Sequence, residues 1–175
     1  MKPVHLLCLA PLMLAACVPM AAPDVPVTTA SLVSSSGAVL GTVRVFSEPT
    51  GVLLRINASG LPAGVHGVHV HTTGRCDAPG FITAGGHWNP TMRKHGHRNP
   101  AGFHGGDLGN LGVGADGKIV AGLLVPGARL TSANYGDGPV LRDADGAAIV
   151  IHAKADDEMT DPSGNSGDRI ACAVL

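Results

Sequence analysis

The chain has 175 residues, long enough for one domain around a single core. A net charge of −1 gives no basic surface for nucleic acid, and no internal repeat or long charge run is present. Aromatic residues make up 3%, charged residues 14%, and there are 25 glycines, which together with short Val/Ile/Leu runs suggests an all-β fold with long, turn-rich loops.

In chain order, Met1-Lys2 and the apolar run through Ala16 have the layout of a secretory signal, too short for a convincing membrane-spanning helix. The run ends Leu14-Ala15-Ala16-Cys17, which resembles the bacterial lipobox, where cleavage before the cysteine is followed by lipid attachment to its thiol. An ordinary signal cut nearby, with Cys17 discarded or left free, is the alternative. Residues 17–27, with three prolines, then form a lipid-anchored tether, and residues 28–175 form the domain. Val18 offers no acidic signal for inner-membrane retention, so the expected place is the periplasm, anchored in the outer membrane.

Thr29–Val33, Ala38–Phe46 and Val52–Ala58 read as short strands separated by the turn signals Ser35-Ser36-Gly37 and Glu48-Pro49-Thr50-Gly51. Seven of the nine histidines lie between Gly64 and Asp107. In Val65-His66-Gly67-Val68-His69-Val70-His71, β-branched residues alternate with histidine, the pattern of a strand. Residues i and i+2 share a face, so His69 and His71 project together while Val68 and Val70 face a core. Two imidazoles held side by side make a chelating pair for a transition metal, whereas the bland reading is two solvated strand histidines. His66 falls on the opposite face from His69 and reads as structural.

A loop from about Thr72 to Asp107 follows, and a structureless segment of that length needs something to tie it down. It contains His87, His95, His104 and Asp107 in the spacing H-x7-H-x8-H-x2-D. Three imidazoles and a carboxylate suit a closed tetrahedral zinc site. Leu108–Gly114, Lys118–Val125, Ala147–Ala153 and Ile170–Leu175 supply further strands, with Ala115-Asp116-Gly117 as a hairpin turn, for a total of eight. Such spacing suggests an antiparallel barrel or sandwich. His152 ends one of these strands; with His69 and His71 it offers three nitrogen ligands, and a fourth would suit copper.

The runs Gly64–His71, Gly86-His87-Trp88-Asn89-Pro90, His95-Gly96, His104–Asn110, Ile151–Asp157 and Gly164–Cys172 together closely resemble copper/zinc superoxide dismutase across roughly Thr28 to Leu175. The resemblance implies an eight-stranded Greek-key barrel or sandwich, the architecture under which the family is grouped. It implies copper held by His69, His71, His87 and His152, and zinc held by His87, His95, His104 and Asp107, with His87 bridging the two metals. The implied substrate is the superoxide anion, converted to oxygen and hydrogen peroxide, and a homodimer is compatible with it.

Further roles follow from the same likeness. Asp156 matches a carboxylate linking a copper histidine, His69, to a zinc histidine, His95, while neighbouring Asp157 reads as a solvated loop acid. Arg169 matches the arginine that attracts the anion beside copper; a surface arginine paired with Asp168 is the bland reading. Of the four cysteines, Cys8 lies in the signal and Cys17 is the lipid candidate; Cys76 and Cys172 match the family's intrasubunit disulfide, against two buried free thiols. His97 has no matching ligand and reads as a solvated loop histidine, and Trp88 reads as packing. Against the better-known eukaryotic pattern, the loop Ala153–Asp168 is shorter and carries Pro162 where a lysine is expected. A carrier of copper or zinc on the same fold, without enzymatic activity, is the competing expectation.

Overall fold

A computed structural model describes residues 25–134 and 136–175. The signal segment 1–16, Cys17 and most of the tether lie outside the described residues. The eight expected strands are all present: β1 (Thr28–Ser34), β2 (Val39–Glu48), β3 (Gly51–Ala58), β4 (Gly64–His71), β5 (Asp107–Val113), β6 (Ile119–Pro126), β7 (Ala148–His152) and β8 (Arg169–Val174). They form one antiparallel sheet in the order β5-β4-β7-β8-β1-β2-β3-β6, curled into a nearly closed barrel whose edge strands β5 and β6 approach each other. The turn over Ala115-Asp116-Gly117 is tight, with Gly117 N donating to Gly114 O at 2.9 Å, but it does not make the expected hairpin. β5 pairs with β4 and β6 with β3, because the turn spans the gap where the sheet closes on itself.

Alternation along the strands separates two apolar regions. Leu32, Val43, Val45, Leu54, Ile56, Val68, Val70, Ile149, Ile151 and Ala171 fill the barrel. The opposite faces of β7 and β8 carry Ala148, Val150 and Cys172, which meet Phe81 and Ala84 in a second, smaller core. This second core lies under the long loop after β4, and it explains why strands on that side are buried on both faces. The loop is not structureless. It contains a 3-10 turn, Ile82–Ala84, and is fastened to β8 by a disulfide between Cys76 and Cys172, with Cα atoms 5.7 Å apart. That bond closes 96 residues, a constraint worth about 4–5 kcal/mol in the chain-entropy picture.

The loop also docks on the edge of β4 beyond the end of β5. Val70 N donates to Gly106 O, Trp88 N to Val70 O and Gly106 N to Trp88 O, each at 2.8 Å. A Cβ on Gly106 would stand 2.3 Å from Val70 O, so only glycine permits this three-way closure. Trp88 is buried in the main core, as packing requires, and its neighbour His87 is thereby laid beside His71.

Candidate metal centre

β4 places His69 and His71 on its outer face, both fully buried under the loop segments 72–106 and 153–168, while Val68 and Val70 point into the barrel. His152, at the end of β7, joins them from the neighbouring strand, with Val150 paired to His69 in register. His87 completes a set of four whose ligand atoms all lie within 4.8 Å of one another. Each of the three strand histidines commits one ring nitrogen to an acceptor. His69 Nε2 donates to Asp156 Oδ2 at 2.8 Å, His71 Nδ1 to Gly85 O at 2.9 Å and His152 Nδ1 to Gly167 O at 3.0 Å. Donation there fixes the tautomer and leaves a lone pair on the other nitrogen. Those other nitrogens, His69 Nδ1, His71 Nε2 and His152 Nε2, are buried without a hydrogen-bond partner.

Burial is the first cause of the depressed basicity of these rings. It pushes His69 down to about 3, His71 to about 2 and His152 to about 4, with the proximity of His87 adding to each. At neutral pH all three are therefore neutral imidazoles with convergent, unsatisfied lone pairs. Buried polar atoms are rarely left without a partner, and a cation that accepts nitrogen donors accounts for all three at once.

The second set is built on the opposite side of His87. The Nδ1 atoms of His87, His95 and His104 lie 2.8, 3.1 and 3.2 Å from a single oxygen, Asp107 Oδ1, and the His87 and His104 nitrogens are 3.4 Å apart. Four atoms placed tetrahedrally about 2.0 Å from a zinc ion stand about 3.3 Å from one another, so this cluster has the dimensions of a zinc cage. Asp107 is oriented by its other oxygen, which accepts from Gly96 N at 2.9 Å and His104 N at 3.0 Å. His69 also comes close to this group, but its Nε2 is held by Asp156 and its Nδ1 belongs to the first set. No ligand atom other than those of His87 is needed by both.

Asp156 couples the sets from behind. Its Oδ2 accepts from His69 and its Oδ1 from His95 Nε2 at 2.9 Å. Burial alone would lower His95 and raise the two acids. The hydrogen bonds among them outweigh it, lifting His95 to about 9 and holding Asp107 and Asp156 well below the usual carboxylate range. Gly164, at φ 61°, lies against this pair, and a Cβ there would stand 1.7 Å from Asp156 Oδ1. Asn110 on β5 pins the Asp156 backbone, accepting from its N–H at 2.7 Å and donating to its carbonyl at 2.9 Å.

A cavity of about 280 Å³ opens onto the first set, lined by Gly86, His87, His152, Pro162, Ser163, Gly167 and Arg169. Arg169 is half-buried there. Its two terminal nitrogens donate to Phe81 O and Gly85 O, each at 2.7 Å, not to Asp168. Burial lowers its pKa, but an arginine stays charged. Bound to carbonyls and not to a carboxylate, it keeps its positive charge at the mouth.

Comparison with known proteins then decides the family. Residues 39–175 match the family model described as copper/zinc superoxide dismutase (SODC). The chain belongs to the copper/zinc superoxide dismutase family. It is 42% identical over 146 residues to the superoxide dismutase-like protein YojM of Bacillus subtilis, covering 82% of this chain and 73% of that one. It is 39% identical over 147 residues to superoxide dismutase [Cu-Zn] 2 of Aquifex aeolicus, covering 83% and 84%. Among solved structures, the Cu/Zn superoxide dismutase of Brucella abortus matches with a TM-score of 0.64 at 27% identity, covering 85% of this chain and 98% of that one. Copper and zinc are the metals of this family, and the all-nitrogen set and the nitrogen–carboxylate cage suit them respectively.

Every sequence-predicted metal residue of this dismutase family member is thus brought to one of the two sets. His66 is buried on the core side of β4, its ring nitrogens 2.8 Å from His152 O and 2.9 Å from Pro62 O, which braces the two strands that carry copper-side histidines. His97 is exposed and packs against Phe103, the two rings tilted with centroids 4.4 Å apart. Asp157 is a partly exposed loop acid, as expected, and has a local task as well. It accepts from Thr160 N, Thr160 Oγ1, Met159 N and Asn165 Nδ2, and so folds the loop that carries Asp156. Asp161 likewise accepts from His95 N at 2.6 Å and pairs with Lys94 at 2.7 Å. The sequence reading missed Asn110, which stood in a recognised run without a role. It also missed the carbonyls of Gly85 and Gly167, for which residue type carries no signal.

Proposed function

We propose that this protein is an exported superoxide dismutase that converts superoxide to oxygen and hydrogen peroxide and so protects the cell envelope. The observation that carries the reading is the pair of donor sets joined at His87, one of four histidines and one of three histidines around Asp107, with three orphaned imidazole nitrogens on the first set beside an arginine-lined opening. When bound, copper exchanges single electrons with the substrate, and zinc has no redox chemistry. The chain supplies the rest. Arg169 draws the anion to the mouth of a cavity of about 280 Å³. His87, with Nδ1 directed to the zinc cage, has Nε2 left on the copper side, where it can hold a proton and release it to peroxide. Asp156 keeps His69 and His95 in their tautomers.

The rival is a metal carrier without enzymatic activity. It has a basis, since the relative YojM is named only dismutase-like and fold does not settle function. Copper and zinc content and superoxide removal should be measured on the same purified sample. One copper and one zinc per chain with superoxide consumed is expected. Full metal content without superoxide removal would make it a carrier.

Arg169→Ala should slow turnover at limiting superoxide by about tenfold at low salt, and less at high salt, where the Debye length is shorter. Arg169→Glu should be worse, because it reverses the local field. Pulse-radiolysis rates against ionic strength at matched copper occupancy test this; equal rates in all three proteins would show that Arg169 does not guide the substrate.

The export route follows from Leu14-Ala15-Ala16-Cys17. Cys17 becomes the lipidated first residue, and residues 18–27 tether the domain to the outer membrane, facing the periplasm. Several acyl chains anchor firmly where one does not. Cys17→Ser should shift the protein from the membrane to the soluble fraction; unchanged processing and fractionation would refute the anchor.

A further inference from the structure

Both carbonyls that bind Arg169 belong to one short turn, which begins at Phe81 and ends at Gly85. Phe81 is fully buried and sits in the left-handed region at φ 51°, ψ 27°. Bulky side chains rarely adopt that conformation, and where they do the surroundings hold them there, often at functional sites.

Two constraints meet at this residue. Its ring fills the second core with Ala84, Ala148, Val150 and Cys172, against the outer faces of β7 and β8. With the ring fixed there, the left-handed backbone turns the Phe81 carbonyl to Arg169 Nη1 at 2.7 Å and to Ala84 N at 3.1 Å, while Phe81 N donates to Asp77 O at 3.0 Å. The far end of the turn presents the Gly85 carbonyl, which accepts from both Arg169 Nη2 and His71 Nδ1. One buried aromatic therefore anchors the turn that holds the guanidinium and orients a copper-side histidine. The disulfide secures the same loop at Cys76, five residues earlier, but contributes neither carbonyl.

We propose that Phe81 is a positioning residue, its buried ring and left-handed backbone fixing the carbonyl clamp that aims Arg169 into the mouth of the metal site. Its bearing on turnover rests on the dismutase reading, whereas the clamp itself does not.

The test is arginine labelling by phenylglyoxal on zinc-loaded protein, quantified residue by residue by peptide mass. The reagent condenses with the terminal guanidinium nitrogens, which at Arg169 are both engaged. Exposed Arg98 sets the reference rate. Arg129, whose Nε donates to Gly138 O at 2.7 Å on another loop, reports general loosening. Phe81→Ala should speed labelling of Arg169 relative to Arg98 by about fivefold, the ratio expected for loss of about one net hydrogen bond. Phe81→Leu, which keeps the apolar bulk, should change it by less than about twofold. Should the alanine chain not fold, Phe81→Val carries the same test with an intermediate acceleration. An unchanged Arg169 rate in a folded alanine or valine variant, or equal acceleration at Arg129, would overturn the proposal. Failure of the metal-loaded wild type to remove superoxide would instead remove the dismutase reading and leave the labelling result standing.

Discussion

The metal-free protein should be most stable near pH 6.5 to 7 and should unfold as the pH falls toward 4. His69, His71 and His152 are held by burial at about 3, 2 and 4, below the value near 6.5 that each has in the unfolded chain. Below pH 6.5 the unfolded chain takes up protons that the folded chain refuses. Each histidine then lowers stability by about 1.4 kcal/mol per pH unit until its folded value is reached. Three together give about 4 kcal/mol per unit between roughly pH 6 and 4, against a usual domain stability of about 5–15 kcal/mol. Asp107 and Asp156, held low, contribute stability above their unfolded range near 4 and lose it only at more acidic pH. His95 acts in the opposite sense. Raised to about 9 by its two carboxylates, it contributes fully below pH 6.5 and loses that contribution as the pH rises through 9. Urea midpoints of metal-free, disulfide-intact protein from pH 4 to 9 measure the curve. A flat profile from pH 4 to 7 would show that these histidines are not kept neutral. Copper and zinc compete with protons for the same lone pairs and bind only the folded site, so loading should move the acid limb to lower pH.

That acid sensitivity comes from residues that the sequence displayed openly. Alternation in Val65–His71 placed His69 and His71 on one face, and H-x7-H-x8-H-x2-D carried a full tetrahedral donor set, because side-chain type and spacing are what such sites require. The eight strands were legible for the same reason. Pairing was less so. Ala115-Asp116-Gly117 has the local chemistry of a hairpin, but whether flanking strands pair is decided by closure of the whole barrel, and here they sit at opposite edges of the sheet. Asp156 stood out in the sequence as a partner for His69 and His95, but the remaining atoms that orient the donors did not. The carbonyls of Gly85 and Gly167 orient His71 and His152, that of Phe81 holds Arg169, and a backbone carbonyl leaves no trace in residue type. What the sequence did not reveal for Asp157 is its loop-closing bonds, because an acid in a polar loop looks the same whether it meets only water or also closes the loop on itself.

Replacing His87 by alanine should have the largest effect of any single change in the centre. It is the one side chain common to both sets, with Nδ1 2.8 Å from Asp107 Oδ1 and its ring stacked on His69 at 3.9 Å between centroids. Its loss leaves His69, His71 and His152 on one side and His95, His104 and Asp107 on the other, each set lacking a corner. Loss even of an outer partner of a metal ligand costs about 10–100-fold in affinity or activity, so loss of a shared ligand should reduce superoxide removal by about 100-fold or more. Zinc and copper should both bind more weakly, whereas His104→Ala should weaken zinc while leaving the copper-side donors in place. His97→Ala, on the exposed loop against Phe103, is the control that should leave metal content and turnover as they are. The decisive readout is magnetic. With a paramagnetic ion substituted for zinc, the wild type should show coupling to copper, carried by the shared imidazole, and His87→Ala should show two independent ions. Coupling that persists in His87→Ala, or a loss of copper with zinc bound as tightly as before, would mean that His87 does not join the two sites.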